Sequence, residues 1–359
     1  MNSETALEKH VRALALPRGR RVGNAGHDVA RQYVQQQMTA LGLESFRGAS
    51  LELPYCSGEQ HFTNLVGRIP GRDPSARPVL IGAHYDSVID APCADDNAAA
   101  VAIALEAVRT LSSTPLHADL ILAVFDAEEP PYFLSADMGS TRFYKEHCTG
   151  VDFGCAIIMD LVGHDVEARR PRDEGAKEPD LDRLIPHLKD FLFITGSESH
   201  PTLPLAVRQA AENLSRLRVI PTLNKYVGDM SDHHAFRLGE QPFLFLSCGQ
   251  GRHYHTREDT VEWLNFDKIL QVHELVVGLI RRLQNVPHGP RGQVDTVDFT
   301  VDFEIEMIER ASGLTRAQLA KGLEIDRLET REDLTQLALV LQDLLLVWGL
   351  PPFNSLSAE

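Results

Sequence analysis

Five short runs, at residues 79–83, 120–125, 155–159, 191–194 and 243–246, are apolar throughout. Strands that show no polar alternation are buried on both faces, as in a parallel sheet covered by helices. Stretches of helical period at 97–111, 138–147 and 205–217 lie between these runs. Two amphipathic helices, at 5–16 and 27–41, open the chain, and Gly42 ends the second. The alternation predicts an α/β protein with a mostly parallel sheet between helical layers. The 97–111 stretch is rich in Ala, Val and Leu nearly all round, so it is expected to be well buried. Residues 164–190 are highly charged and without period, which reads as a surface excursion.

The stretch NVPHGPRG, residues 285–292, breaks the pattern. Beyond it, 303–350 reads as a small helical unit, with Leu334, Leu337, Leu341, Leu344, Leu345 and Trp348 at helical spacing. That stripe is read as core packing, with a homo-oligomer contact as the alternative. The expected organisation is therefore a catalytic domain over 1–285 and a linker with a helical C-terminal extension over 286–359.

The chain has 359 residues, 43% hydrophobic and 24% charged, which suits a globular protein with a sizeable core. A net charge of -16 argues against phosphate backbones and anionic membranes as partners. Glu8, Lys9, His10 and Arg12 interrupt the amino-terminal segment where a signal peptide would need a continuous apolar core. The apolar stretch at 334–350 is short and broken by Gln342 and Asp343, so no membrane span is expected. Five cysteines without a CxxC spacing do not suggest a disulfide framework. The expectation is a reducing, cytoplasmic setting.

The chemistry collects where the apolar runs stop. The first run ends in His84-Tyr85-Asp86, the second in Asp126 and then Glu128-Glu129-Pro130-Pro131, the third in Asp160. The last is followed by a loop holding His253 and His255, and Asp95-Asp96-Asn97 opens the buried helix. The carboxyl ends of parallel strands form the ligand crevice of such sheets. Imidazoles and carboxylates in this ratio, without paired cysteines, suit zinc or a similar ion at a catalytic site. Ionised Asp96, Glu128, Glu129 and Asp160 together carry a charge of -4, which two divalent ions would balance. In an extended chain His84 and Asp86 share a face, so Asp86 can hold His84 from behind or lie beside it. Helix capping competes with ligation at Asp95 and Asp96, and the two histidines of the last loop compete with each other.

These residues resemble the zinc exopeptidase family of co-catalytic dizinc aminopeptidases. The matching pieces are GAHYDSV (82–88), ADDNAAA (94–100), FDAEEPP (125–131) with MGS (138–140), MD (159–160), SDHHAF (231–236) and YHTREDT (254–260). The resemblance implies a three-layer αβα sandwich with a mixed, mostly parallel central sheet. It implies two zinc ions per chain, one held by His84 and Asp160, the other by Glu129 and His255, with Asp96 bridging. Glu128 matches the general base, Tyr254 an oxyanion donor, and Asp86 an aspartate behind His84. Asp232 matches a supporting residue, though it could equally cap a helix; His233 and His234 read as supporting or surface residues. Cys93 and Ala100 stand where the family often has glycine.

The implied activity is removal of amino-terminal residues from peptides with free amino termini. Glu128 and Glu129, neighbours in an extended segment, point to opposite sides, one toward the attacking water and one toward a zinc. The residue before a proline favours extended backbone, and here that residue is Glu129. Two rival readings remain. Glutaminyl cyclases, single-zinc acyl-transfer enzymes, share the HYDS, FDxEE and HT pieces, and MDLVGHD resembles theirs. A non-catalytic member of the fold should show decayed ligand positions, whereas all five and the base are present here.

Overall fold

A computed structural model describes residues 4–169, 181–287 and 297–345. Among them the strands are β1 (Glu44–Ser45), β2 (Glu52–Ser57), β3 (Gln60–Ile69), β4 (Val79–His84), β5 (Leu120–Phe125), β6 (Cys155–Met159), β7 (Phe191–Thr195), β8 (Arg218–Pro221) and β9 (Phe243–Ser247). They form a single sheet in the order β1-β3-β5-β4-β6-β9-β7-β8, with β2 also paired to β3. The central strands β5, β4, β6 and β9 run parallel. Antiparallel pairing of β3 with β5 and of β7 with β9 makes the sheet mixed. β4 to β6 are buried at every position, which is why their sequences show no alternation.

The helices are α1 (Ala6–Leu14), α2 (Ala25–Ala40), α3 (Ala99–Ser112), α4 (Gly139–His147), α5 (Leu181–Leu184), α6 (Leu203–Ala211), α7 (Asn224–Val227), α8 (His233–Leu238), α9 (Phe266–Arg282), α10 (Val301–Ser312), α11 (Arg316–Gly322) and α12 (Arg331–Leu344). α3 is buried over nearly all its surface, as its composition predicts. Thr5, Asn24 and Asn265 cap α1, α2 and α9 by accepting backbone N–H groups with their side chains. No helix among the described residues is long and apolar enough to cross a membrane.

Three expectations need correction. The 205–217 stretch is helical only to Ala211; past it Gln271 Oε1 accepts the backbone N–H groups of Arg216 and Leu217, and Arg218–Pro221 becomes a strand. The 97–111 helix starts at Ala99, because Asp96 (φ -110, ψ 82) and Asn97 (φ -134, ψ 36) are not helical. The segment 164–190 is not wholly a surface excursion: His164, Val166, Leu181, Ile185 and Leu188 are buried. Residues 170–180 lie outside the described ones.

Leu334 and Leu337 of α12 pack into the same hydrophobic core as the sheet, as do Ile305, Met307 and Ile308 of α10. α12 ends at Leu344, and Leu345 is extended and bridges to Ala168. Trp348 lies outside the described residues. All five cysteines are free and all but Cys56 are buried.

Candidate metal centre

His84, the last residue of β4, is fully buried at the carboxyl edge of the parallel strands. Its Nε2 lies 3.5 Å from Asp160 Oδ2, just past β6, and 3.7 Å from Glu128 Oε2, past β5. His255 Nε2 lies 3.3 Å from Glu129 Oε2. Asp96 stands between the two histidines, Oδ1 3.5 Å from His84 Nε2 and Oδ2 3.2 Å from His255 Nε2. Two triads result, His84 with Glu128 and Asp160, and Asp96 with Glu129 and His255, each with ligand-type atoms within 4.8 Å of one another. Glu128 and Glu129 do diverge, but toward two neighbouring triads.

Residues that are not candidate ligands tie the loops together. Asp86 accepts the backbone N–H of Glu128 on Oδ1 and of Glu129 on Oδ2, both at 3.1 Å, while its Oδ1 lies 3.3 Å from His84 Nδ1. One carboxylate therefore faces the histidine ring and holds the course of the glutamate loop. Asp259 accepts the N–H groups of Asp95 (2.9 Å) and Asp96 (3.1 Å). Asp95 accepts the Gly163 N–H at 2.6 Å and meets His164 Nδ1 at 2.5 Å. Behind the glutamates, Asp126 receives the Thr63 N–H and the Tyr85 hydroxyl, and His27 Nε2 lies 2.7 Å from it. Sequence reasoning missed Asp259, Asp126 and His27; only Asp259 carried a signal, lying four residues after His255 in HTREDT.

The alternatives left open in the sequence separate in space. Asp96 lies between the triads, whereas Asp95 turns to Gly163 and His164. His253 packs edge-on against Trp263 at 4.3 Å, away from the triads. Tyr254 stacks on His255, ring centroids 3.7 Å apart. Asp232 occupies the N-cap position of α8 yet makes no capping bond, and it is fully buried. Buried His233 stacks on Phe245, and His234 pairs with Asp229.

Non-glycine residues in the left-handed region occur at Cys93 (φ 46), Ala127 (φ 51), Leu161 (φ 53) and His255 (φ 57), one in each loop that brings a carboxylate or imidazole to the crevice from Asp96, Glu128, Asp160 and His255. Such backbone costs about 1 kcal/mol or more at each position and persists where the surroundings enforce it. Glycine would take the conformation of Cys93 without this cost.

Without cations the centre is electrostatically strained. Burial pushes Glu129 up to about 8, with the Asp96 charge adding and His255 opposing. Burial likewise holds Glu128 well above the usual carboxylate range, with His84 opposing and Asp160, Glu129 and Asp232 adding. Burial opposes protonation of His255, yet the neighbouring carboxylates of Asp96 and Glu129 raise it to about 10. His84 is raised well above its ordinary value in the same way, by Glu128 and Asp160. Burial lifts Asp232 to about 7 despite the opposing pull of His84. Protons thus do the work of charge compensation that divalent ions would otherwise do. The donor atoms fit such ions: His84 Nε2, Asp96 Oδ2, Glu129 Oε1, Asp160 Oδ1 and His255 Nε2 are buried and make no hydrogen bond.

The triads floor a pocket of about 510 Å³, walled by Pro130, Phe133, Leu161, Met230 and Phe245 on its apolar side. A covered sheet with paired histidine and carboxylate triads at its carboxyl edge is the framework of a metallohydrolase. Residues 64–280 match peptidase family M28, and the chain belongs to that family.

Among relatives, the uncharacterised protein YfbL of Escherichia coli K12 is 27% identical over 270 residues, covering 69% of this chain and 78% of YfbL. Leucine aminopeptidase 1 of Sclerotinia sclerotiorum is 26% identical over 239 residues, covering 61% of this chain. The chain spans only 55% of that aminopeptidase. The fold is shared with a Zn-dependent exopeptidase from Parabacteroides distasonis (TM-score 0.59, 16% identity, 77% of this chain and 98% of that one). It is shared equally with a Porphyromonas gingivalis glutaminyl cyclase (TM-score 0.58, 18% identity, 77% and 97%).

Proposed function

We propose that this chain is a two-zinc aminopeptidase that hydrolyses the first peptide bond of peptides with free amino termini. The observation that carries the reading is Asp96, whose two oxygens face one histidine each at 3.5 and 3.2 Å. His84 and Asp160 would hold one ion, Glu129 and His255 the other, with Asp96 shared. Bound there, divalent ions would supply Lewis-acid polarisation of the scissile carbonyl and a more acidic water.

Glu128 has the other requirement, a proton acceptor beside the reacting water. Burial raises its affinity for a proton; with divalent ions offsetting the charge around it, the ionised Glu128 would take a proton from the water and return it to the leaving amine. Its backbone N–H is held by Asp86, which directs the side chain without using the carboxylate. Tyr254 keeps its proton, because burial and four surrounding carboxylates raise its pKa, so its hydroxyl can donate to a developing oxyanion. Its stacking on His255 fixes the ring beside the second triad. The apolar wall of Phe133, Leu161, Met230 and Phe245 suits an apolar first side chain.

The test is zinc stoichiometry measured alongside product analysis on three peptides: unblocked, amino-blocked and Gln-initiated. Two zinc ions per chain with amino acid release from the unblocked peptides alone is the expected result. Pyroglutamate formation with one zinc would make the chain a cyclase. No turnover and no zinc would make it a non-catalytic member of the fold.

A further inference from the structure

We propose that Arg20 is a positioning residue for the metal centre, holding the loop of the bridging aspartate by capturing its backbone. This rests on the two-ion reading above. Arg20 is completely buried, yet it has no ion-pair partner among the described residues. Its Nε donates to Tyr85 O at 2.8 Å, one terminal nitrogen to Leu14 O and Pro92 O, each at 2.7 Å, and the other to Cys93 O at 3.0 Å and Asp96 O at 3.1 Å. A guanidinium has five N–H donors, so all are used, and every acceptor is a main-chain carbonyl. The Arg20 N–H itself donates to Ser87 Oγ at 2.8 Å.

Apart from Leu14, the end of α1, the acceptors are not scattered. Tyr85 follows the candidate ligand His84, and Pro92, Cys93 and Asp96 form the turn that leads into α3. On the far side of the same turn, Asp259 takes the N–H groups of Asp95 and Asp96. The peptide unit before Asp96 is thus held by its N–H and the one after by its carbonyl. With both flanking planes fixed, Asp96 keeps its non-helical backbone (φ -110, ψ 82), and only its two side-chain torsions remain free. That is the condition for one carboxylate to keep an oxygen on each histidine. A buried guanidinium with no carboxylate on it is costly on its own, and here five main-chain carbonyls satisfy its donors. Arg20 sits among three arginines in PRGRR, where nothing in the sequence distinguishes it from Arg18 or Arg21.

The decisive variant is Arg20→Lys, which keeps a positive charge but has three donors and no planar fork. Zinc affinity is measured by chelator competition, and the Co²⁺-substituted protein gives a visible spectrum that reports ligand geometry. Both are set beside the melting temperature of the metal-free protein. The control is Arg77→Lys, a buried arginine at the opposite end of β4 that donates to Asp152 and Pro287 O. Arg20→Lys is expected to weaken zinc binding at least about tenfold, the scale of outer partners of metal ligands, and to alter the cobalt spectrum. Arg77→Lys should lower the melting temperature and leave both unchanged.

If Arg20→Lys binds two zinc ions with wild-type affinity and spectrum, or if Arg77→Lys changes them equally, the proposal is overturned. Should Arg20→Lys not fold, Ser87→Ala carries the test, since it removes the hydroxyl that accepts the Arg20 N–H and donates to Ile89 O, and leaves the guanidinium in place. Weaker zinc binding then supports the role and unchanged binding refutes it. A wild-type protein that binds no zinc overturns the two-ion reading itself, a distinct result.

Discussion

Glu128→Gln and Glu129→Gln should fail in different ways, although the residues are adjacent, equally buried and attached to the same anchor. Each exchanges a carboxylate oxygen for an amide nitrogen at constant size. Asp86 holds the backbone N–H of both, so the loop stays in place in either variant. Glu129 Oε2 lies 3.3 Å from His255 Nε2, and its other oxygen is buried without a partner, the setting of a ligand. Its loss should exceed the roughly 10–100-fold drop in metal affinity that goes with outer partners and remove one zinc. Glu128 is 3.7 Å from His84 Nε2, farther than any other carboxylate facing a histidine across the triads.

As the proton acceptor, Glu128 should account for roughly 10²–10⁴ in rate, or about 3–5 kcal/mol of barrier, with both zinc ions retained. The assay is zinc content of the dialysed proteins alongside kcat and kcat/KM on an unblocked peptide. If Glu128→Gln loses one zinc as readily as Glu129→Gln, Glu128 is a ligand of the His84 and Asp160 triad. The division of labour is then wrong. It is equally wrong if Glu128→Gln keeps wild-type kcat.

Other consequences concern protons, the anchor and close packing. Glu129 at about 8 and His255 at about 10 hold their protons more tightly in the folded than in the unfolded chain. The stability this contributes is complete below their ordinary values and is lost as pH rises through the raised ones. The melting temperature of the metal-free protein should therefore fall from about pH 6 to about pH 9, while the increment added by zinc, which displaces those protons, grows. An increment that shrinks over that interval in thermal melts contradicts the scheme. Asp86→Asn sets an amide nitrogen against a backbone N–H, so zinc affinity and kcat should drop together, by about 10–100-fold, as chelator competition and steady-state kinetics would register. Gly139→Ala would bring a Cβ to 2.0 Å from Asp126 O and 2.6 Å from Asn64 Oδ1. Urea titration should find it destabilised by about 1–3 kcal/mol, and an unchanged midpoint would mean that Asp126 can shift freely.

The parallel centre of the sheet was legible because burial on both faces removes every polar position. β5 and β6 fall on the residues predicted from such runs. β2 and β3 were not, since their outer positions are polar, and β2 alternates between exposed and buried along ELPYCS. β8 lies just past the expected 205–217 stretch, and at four residues it is too short to stand out as an apolar run. α9 carries a plain helical period through Ile269, Val272, Val276 and Leu279, a face as legible as those of α1 and α2.

The triads and their supports differ in legibility for a physical reason. A candidate ligand or base stands where an apolar strand meets the crevice, so His84, Asp160 and the 126–129 loop each mark an abrupt step from apolar to charged, a local signal. A support acts through a backbone group far away in the chain. Asp259 meets Asp96 across 163 residues, Asp86 meets Glu129 across 43, and Arg20 meets Asp96 across 76. Aspartate and arginine are also the residues most often found on surfaces, so their presence in a loop carries no signature of what they hold. Among Asp86, Asp95, Asp96 and Asp259 the side chain is identical. What separates a bridging ligand from an anchor is whether its oxygens face imidazole nitrogens or backbone N–H groups. That difference arises only when the loops have met, which makes Asp96 and Asp259 interdependent: one cannot span the triads unless the other holds its peptide in place.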